Sequence, residues 1–138
     1  MQPTDPALRS MLMKHEGVRA KPYRDTVGKL SIGVGRNLDD VGLRPDEIDY
    51  LLRNDTAQAI NDARFLCDDF DALSPNRQRV LVSLCFNIGR SRAAGFRRLW
   101  AAIERGDFDA AAAELLDSKW ARQVGKRAEE LADMMRRG

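Results

Sequence analysis

The residues from 14 to 37 form the one stretch of this chain whose pattern is not helical. Glycines recur at positions 17, 28, 33 and 35, and apolar residues alternate with small or polar ones from Leu30 to Val34. Alternation with a period of two is typical of a short strand, and D-T-V-G at 25–28 is a turn sequence. This stretch therefore predicts a small antiparallel sheet of two or three strands.

Helical patterns fill the remainder of the chain. Asp5 as N-cap and Pro6 at the first helical position predict a helix over residues 5–16, which ends at Gly17. Pro45 begins a long helix over about 45–66, long enough to link two lobes. Further helices are predicted over 74–89, 96–106, 107–116 and from 126 onward, with a loop at 90–95 and with Trp120 as a core residue in a connector.

These elements predict an α+β fold that is mainly α. It has a small N-terminal antiparallel β-sheet, a long linking helix and a C-terminal helical lobe. At 138 residues the chain can bury a core without disulfides or metals, so we expect a single domain over residues 1–138. Its parts are a β lobe at about 17–43, the linking helix at about 45–66, and a helical lobe at about 74–138 on which helix 5–16 packs.

Charge is unevenly distributed along the chain, although the net charge is only +2. Residues 1–76 carry 10 Lys or Arg against 13 Asp or Glu, whereas residues 77–138 carry 13 against 8. Either an anionic partner or a solvated surface accounts for a basic half. The N-terminus has no apolar signal segment and no later run approaches transmembrane length, so we expect synthesis in the cytoplasm without membrane insertion.

The chain has two cysteines, Cys67 and Cys85, and a single histidine, His15. The cysteines lack C-x-x-C spacing and the histidine is distant in sequence, so we expect no metal site and no cofactor. Apolar neighbours predict buried free thiols, while a disulfide between the two cysteines stays open.

Two acidic residues border the non-helical stretch in a way that suits hydrolysis of a glycosidic bond. That reaction needs one carboxyl that protonates the leaving oxygen and a second that activates water or attacks the sugar. Glu16, at the end of the first helix, is the candidate acid, and Asp25, in the turn, is the candidate ionised partner. Ser31 is placed to orient a water against Asp25. In a strand it points opposite to Leu30 and Ile32, which we expect to face the packed side.

Spacing alone leaves open that Glu16 is a surface residue and Asp25 a turn former, but the motif around them is more specific. The stretch E-G-V-R-A-K-P-Y-R-D-T-V-G-K-L-S-I-G-V-G resembles the phage-type lysozymes, the endolysin family that includes T-even phage lysozyme. The family pattern is Glu, eight residues, Asp or Cys, five residues, Thr, and then I-G-x-G, so Ser31 stands where the family usually has Thr. The resemblance continues through F-N-I-G at 86–89, A-G-F at 94–96, D-F-D-A-A-A at 107–112 and S-K-W…R-A at 118–128.

The resemblance implies a two-lobed lysozyme-like fold and a muramidase that lyses host cells. Such an enzyme hydrolyses the β-1,4 bond between N-acetylmuramic acid and N-acetylglucosamine in bacterial peptidoglycan, with inversion. Glu16 is then the general acid, and Asp25 positions the attacking water. Phe86 and Asn87 match positions that face the glycan, and Arg127 matches an arginine that pairs with the catalytic glutamate across the cleft. Peptidoglycan strands are the expected partner of a monomeric enzyme that reaches the wall after its release.

Two other functions stay open from the sequence. One is a lysozyme fold that binds glycan without cutting it. The other is a basic helical module that binds nucleic acid through the arginines at 90, 92, 97 and 98, although we expect no nucleic-acid partner. In a wall hydrolase the same arginines would attract anionic wall polymers. Arg36 stands where the most studied family member has His, and Asp55 is its candidate charge partner.

Overall fold

The computed structural model describes all residues from 1 to 138 and confirms the predicted mainly α, α+β fold class. The chain forms two compact units, Met1–Tyr50 (unit 1) and Leu51–Gly138 (unit 2). No helix in either unit combines the length and the apolar character needed to span a bilayer. The lobe boundaries at 17–43 and 74–138, and the packing of helix 5–16 on the helical lobe, stay predictions.

Unit 1 begins with helix α1 (Pro6–Glu16), bounded as its sequence predicts. The Asp5 carboxylate accepts a hydrogen bond from the Leu8 N–H at 2.9 Å, which caps the first turn. At the other end the Gly17 N–H donates to the Met13 carbonyl at 3.0 Å, and the chain leaves the helix there. Glu16 is therefore fixed as the last helical residue.

A three-stranded antiparallel sheet follows, with the strands in the order β1 (Arg19–Arg24), β2 (Leu30–Gly33) and β3 (Arg36–Asn37). Its central strand places Ser31 opposite Tyr23 on one side and opposite Asn37 on the other. The register between β1 and β2 is irregular between Arg19 and Tyr23, where Pro22 supplies no N–H to the ladder. The sheet predicted for this stretch is thus present.

Helix α2 (Pro45–Leu66) matches the predicted long helix and runs from unit 1 into unit 2. The rest of unit 2 is helical as well. After a 3₁₀ turn at Phe70–Ala72 it comprises α3 (Pro75–Ala94), α4 (Arg97–Glu104), α5 (Phe108–Leu116), α6 (Lys119–Val124) and α7 (Lys126–Arg137).

Two predicted connections are wrong. The helix that begins at Pro75 breaks at Gly89 (φ +81°), as expected, but residues 90–94 resume helical structure instead of forming a loop. Trp120 lies in α6 and not in a connector. The Ser118 hydroxyl caps α6 by accepting from the Ala121 N–H at 3.0 Å, a local signal that the sequence does contain.

The hydrophobic core lies in unit 2. Its largest fully buried side chains come from α3, α4, α5 and α7: Val80, Leu81, Leu84, Leu99, Leu115 and Met135. Trp120 is buried beside them, as predicted. Cys67 and Cys85 are buried and free, so no disulfide joins them. Burial raises the pKa of the Cys85 thiol to about 11, which makes it an unreactive core side chain.

Arg77, in the first turn of α3, fastens the C-terminal end of α7. Its guanidinium donates to the Met135 carbonyl at 2.8 Å and to the Arg136 carbonyl at 3.0 Å. It also stacks on the Phe108 ring, with the guanidinium carbon 3.5 Å from the ring centroid. The last carbonyls of a helix have no partner within the helix, so Arg77 satisfies two of them and links the end of α7 to the start of α3.

Candidate active site

Glu16 lies against a glycine of the I-G-V-G motif. A Cβ built on Gly35 would stand 3.1 Å from Glu16 Oε2 and 3.6 Å from its carboxyl carbon. Gly35 also has φ +70°, a backbone conformation that side chains disfavour. Both observations favour glycine at this position, where the turn between β2 and β3 lies against the end of α1.

Asp25 opens the turn between β1 and β2, and its carboxylate is held by backbone donors. Asp25 Oδ1 accepts from the Val27 N–H at 3.0 Å and from the Lys29 N–H at 2.8 Å. The Asp25 N–H donates in turn to the Lys29 carbonyl at 2.9 Å, which extends the ladder past the end of β1. These bonds fix the plane of the carboxylate and occupy only one of its two oxygens.

Ser31 is almost wholly buried, at 2% exposure, whereas Leu30 and Ile32 are only half-buried. The predicted direction of Ser31 is therefore wrong, because its side chain and not theirs faces the covered side of β2. No protein group hydrogen-bonds to its hydroxyl. Since every side-chain polar atom sealed from solvent has a partner, the Ser31 hydroxyl retains contact with solvent.

Asp25 and Ser31 lie on the same face of the hairpin. Tyr23 is opposite Ser31, and Asp25 is opposite Lys29, so residues 23, 25, 29 and 31 alternate onto one side. Asp25 and Ser31 are then diagonal neighbours, a relation that typically separates Cα atoms by about 7–8 Å.

Arg36 does not pair with the predicted partner. Its guanidinium binds the Glu47 carboxylate in a two-point contact, with distances of 2.7 and 2.6 Å, and also donates to the Gly42 carbonyl at 3.1 Å. Hydrogen bonds from Arg36 and from the Arg44 N–H lower the pKa of Glu47 to about 2. Asp55 is therefore the wrong partner, because Arg36 binds Glu47, which lies 11 residues along the chain.

Phe86 and Asn87 precede the break in α3 at Gly89, and both are exposed. Asn87 Oδ1 accepts from the Trp120 indole N–H at 2.8 Å. Because that indole group is only a donor, the contact fixes which way the amide points. The Asn87 NH₂ group is left facing away from Trp120, without a protein acceptor. Trp120 thus orients a site candidate, a role that the sequence did not indicate.

Arg127, in the first turns of α7, is half-buried and donates to the Ser83 hydroxyl at 3.0 Å. Ser83 is a residue that the sequence did not single out, because one serine within a helix carries no distinctive pattern. The six predicted residues therefore fall into two groups. Glu16, Asp25 and Ser31 belong to unit 1. Phe86, Asn87 and Arg127 belong to unit 2, and the pairing of Arg127 with Glu16 stays a prediction.

Comparison with known proteins agrees with the resemblance seen in the sequence. The family model described as phage lysozyme matches residues 13–138. "Probable T4-type lysozyme 2" of Dictyostelium discoideum is 26% identical over 161 aligned positions, which cover 96% of this chain and 95% of that protein. "Peptidoglycan hydrolase gp36" of Pseudomonas phage phiKMV is 27% identical over 133 positions. That match covers 92% of this chain but only 15% of the longer phage protein. Since the family model spans all but the first 12 residues, the chain belongs to the phage lysozyme family.

Proposed function

We propose that this chain is a muramidase that acts on bacterial peptidoglycan. It hydrolyses the β-1,4 bond between N-acetylmuramic acid and N-acetylglucosamine, with inversion at the anomeric carbon. Family membership supports a lysozyme-type glycoside hydrolase, and one relative is named for hydrolysis of peptidoglycan. The reaction needs only two carboxyls and water, so the proposal includes no cofactor.

The observation that carries this proposal is the contact between Glu16 and Gly35. It brings the candidate acid against the same short sheet that presents Asp25, so one compact segment supplies both carboxyls that the reaction needs. In the proposal, Glu16 donates its proton to the glycosidic oxygen as the bond breaks. Glu16 makes no ion pair within unit 1 that would compete with this role.

Asp25 holds the attacking water. Its Oδ1 is occupied by two backbone N–H groups, so Oδ2 is the oxygen available to accept a hydrogen bond from that water. The Ser31 hydroxyl, which lies on the same face of the hairpin as Asp25, supplies the second contact. Two fixed contacts orient the lone pair of the water toward the sugar, and such positioning is a large part of catalysis.

In this proposal, residues of unit 2 contact the glycan. The Asn87 NH₂ group is a free donor of fixed direction, suited to a carbonyl or hydroxyl of an N-acetylated sugar. The exposed ring of Phe86 offers an apolar surface to a sugar face. By family resemblance, Arg127 pairs with Glu16, and its Ser83 contact uses only one of its guanidinium nitrogens.

Activity is tested by the clearing of purified peptidoglycan. We expect Glu16→Gln to lower the rate by about 10²–10⁴-fold or more, because the amide cannot protonate the leaving oxygen. Glu104→Gln, at an exposed glutamate on α4, is the matched control and should retain the rate. Full activity of Glu16→Gln with an unchanged circular dichroism spectrum would exclude the mechanism. Intact glycan after long incubation with the unmodified protein would instead favour a binding protein that does not cut.

Inversion is tested separately. An inverting pair of carboxyls lies about 6.5–9.5 Å apart, because a water must fit between the carboxylate and the sugar. We expect the first product observed by NMR to be the α-anomer formed from the β-linked substrate. A β-anomer as first product would overturn inversion while leaving the hydrolase assignment intact.

A further inference from the structure

A groove in unit 2 is lined by more positively than negatively charged side chains. It lies beside the residues that join α3 to α4 and α5 to α6, and its volume is about 490 Å³. Its charged lining consists of four cations and two carboxylates: Arg92, Arg97, Arg98, Lys119, Glu114 and Asp117. We propose that this cationic groove binds a polyol-phosphate or sugar-phosphate polymer of the bacterial wall.

The four cations are exposed and unengaged. None forms an ion pair, whereas Arg90, close by in sequence, is paired with Asp62 at 3.1 Å and stacks on Phe65. The chain therefore neutralises one arginine of this segment and leaves its neighbours available. The bonds that hold the fold together do not use these four side chains, so packing gives no reason for their charge.

Two of these arginines stand where helix electrostatics disfavour them. Arg97 and Arg98 are the first two residues of α4, and no acidic residue lies in that turn. The start of a helix carries partial positive charge, so a cation there costs stability rather than adding to it. Together with Arg92 and Lys119, these two arginines add positive charge to a helix end that already favours an anion.

The carboxylates indicate which kind of anion fits. Glu114 and Asp117 would repel a bare phosphate, but they accept hydrogen bonds from hydroxyl groups. In a polymer whose phosphates alternate with hydroxylated units, the phosphates can pair with the four cations and the hydroxyls can donate to the two carboxylates. Nucleic acid fits less well, because single-stranded binding relies on exposed aromatic rings. The rings at this groove, Trp120 and Phe96, pack edge to face, and Trp120 is only 3% exposed.

The choice of a wall polymer rests on the proposed function, but the groove does not include any of the six proposed catalytic or glycan-binding residues. Binding can therefore be measured without hydrolysis. The probe is a purified glycerol-phosphate polymer, titrated into the Glu16→Gln protein at low and at moderate salt. We expect measurable affinity that falls as salt rises, since binding releases counterions.

The matched variants remove equal charge from unit 2. Arg97→Gln with Arg98→Gln should weaken polymer binding about tenfold, an effect typical of two exposed charge contacts. Arg79→Gln with Arg136→Gln, which removes two exposed cations outside the groove, should change the affinity less than twofold. If both double variants lower the affinity for the polymer equally, the groove is not the binding site and the net charge of the protein explains the binding.

Two further comparisons complete the test. Tighter binding of a 20-nucleotide DNA strand than of the phosphate polymer would overturn the choice of ligand. On walls, the Arg97→Gln, Arg98→Gln enzyme with Glu16 intact should lose more rate on phosphate-bearing sacculi than on sacculi stripped of phosphate polymer. An equal loss on both would contradict the inference. If the unmodified protein binds the polymer but does not hydrolyse peptidoglycan, the proposed muramidase activity is wrong and the proposed binding groove still stands.

Discussion

The two units are stabilised by different forces. Every buried apolar side chain of the protein belongs to unit 2, and the only buried residue of unit 1 is Ser31. Unit 1 nevertheless carries both candidate catalytic carboxyls. The hydrophobic core is thus confined to unit 2, while unit 1 holds the candidate catalytic residues with little apolar burial of its own.

Polar contacts take the place of a core in unit 1. Lys29 pairs with Asp40 at 3.1 Å, and Arg36 with Glu47 at 2.6 Å. The Asp39 carboxylate accepts from the Leu30 N–H at 2.8 Å and so joins the loop after β3 to the start of β2. Ion pairs of this kind weaken with salt and acid, whereas apolar burial does not. The two units should therefore respond to different perturbations.

The largest expected difference comes from the same substitution made in each unit. Leu84→Ala removes a fully buried side chain from α3 and should lower the free energy of unfolding by about 2–5 kcal/mol. Leu12→Ala, at a 42% exposed position of α1, should change it by no more than about 0.5 kcal/mol. Urea denaturation followed by circular dichroism measures both. A loss at Leu12 as large as that at Leu84 would show that α1 is packed more tightly than its exposure indicates.

Alanine substitutions at two glycines distinguish the effect of backbone strain from the effect of displacing the Glu16 carboxylate. Gly33 and Gly35 have nearly equal φ angles, +68° and +70°, but only Gly35 contacts Glu16. Alanine at either position should cost about 1–2 kcal/mol of stability. Gly35→Ala should in addition displace the Glu16 carboxylate, and it should slow peptidoglycan clearing at least tenfold more than Gly33→Ala. Equal rates for the two variants would remove the argument that this contact positions the acid.

Acid should weaken unit 1 through Glu47. The pKa of its carboxyl is lowered from 4.5 to about 2 in the fold, so the unfolded chain takes up a proton first as the pH falls. The stability that Glu47 contributes is then fully present above about pH 4.5 and is lost between there and about pH 2. We expect Glu47→Gln to flatten this part of the pH dependence, measured by urea denaturation from pH 5 to 2. Asp46→Asn, at the neighbouring exposed carboxylate, is the control. An unchanged slope in Glu47→Gln would contradict the assignment.

At Ser31 we expect a change in activity with little change in stability. Because its hydroxyl has no protein partner, Ser31→Ala should alter the free energy of unfolding by less than about 0.5 kcal/mol. The rate of clearing should nevertheless fall, because the attacking water loses one of its two contacts. Ser31→Thr keeps the hydroxyl and restricts its rotamers, so it should retain or raise the rate. A large loss of stability in Ser31→Ala, with proportional loss of activity, would assign Ser31 a structural role.

Local rules explain why so much of the fold could be predicted. Caps and prolines mark the starts of α1, α2 and α3, and glycines mark where α1 and the first part of α3 end. These signals act over three or four residues, and the sequence contains all of them. The wrong predictions at 90–94 and at Trp120 concern short helices of five or six residues. Such helices are held mainly by packing rather than by propensity, so one cap such as Ser118 does not predict them.

The sequence by itself determined the small sheet, most of the helices and the family, and it singled out Glu16 and Asp25 beside a glycine-rich stretch. Only the tertiary structure decided which groups those side chains meet. In the structure Ser31 is buried, and Arg36 binds Glu47. The Trp120 indole donates to Asn87, and Gly35 lies against Glu16. The physical reason is one of range. A cap or a strand period is fixed by adjacent residues, whereas a partner 11, 19 or 33 positions away is chosen by how whole elements pack.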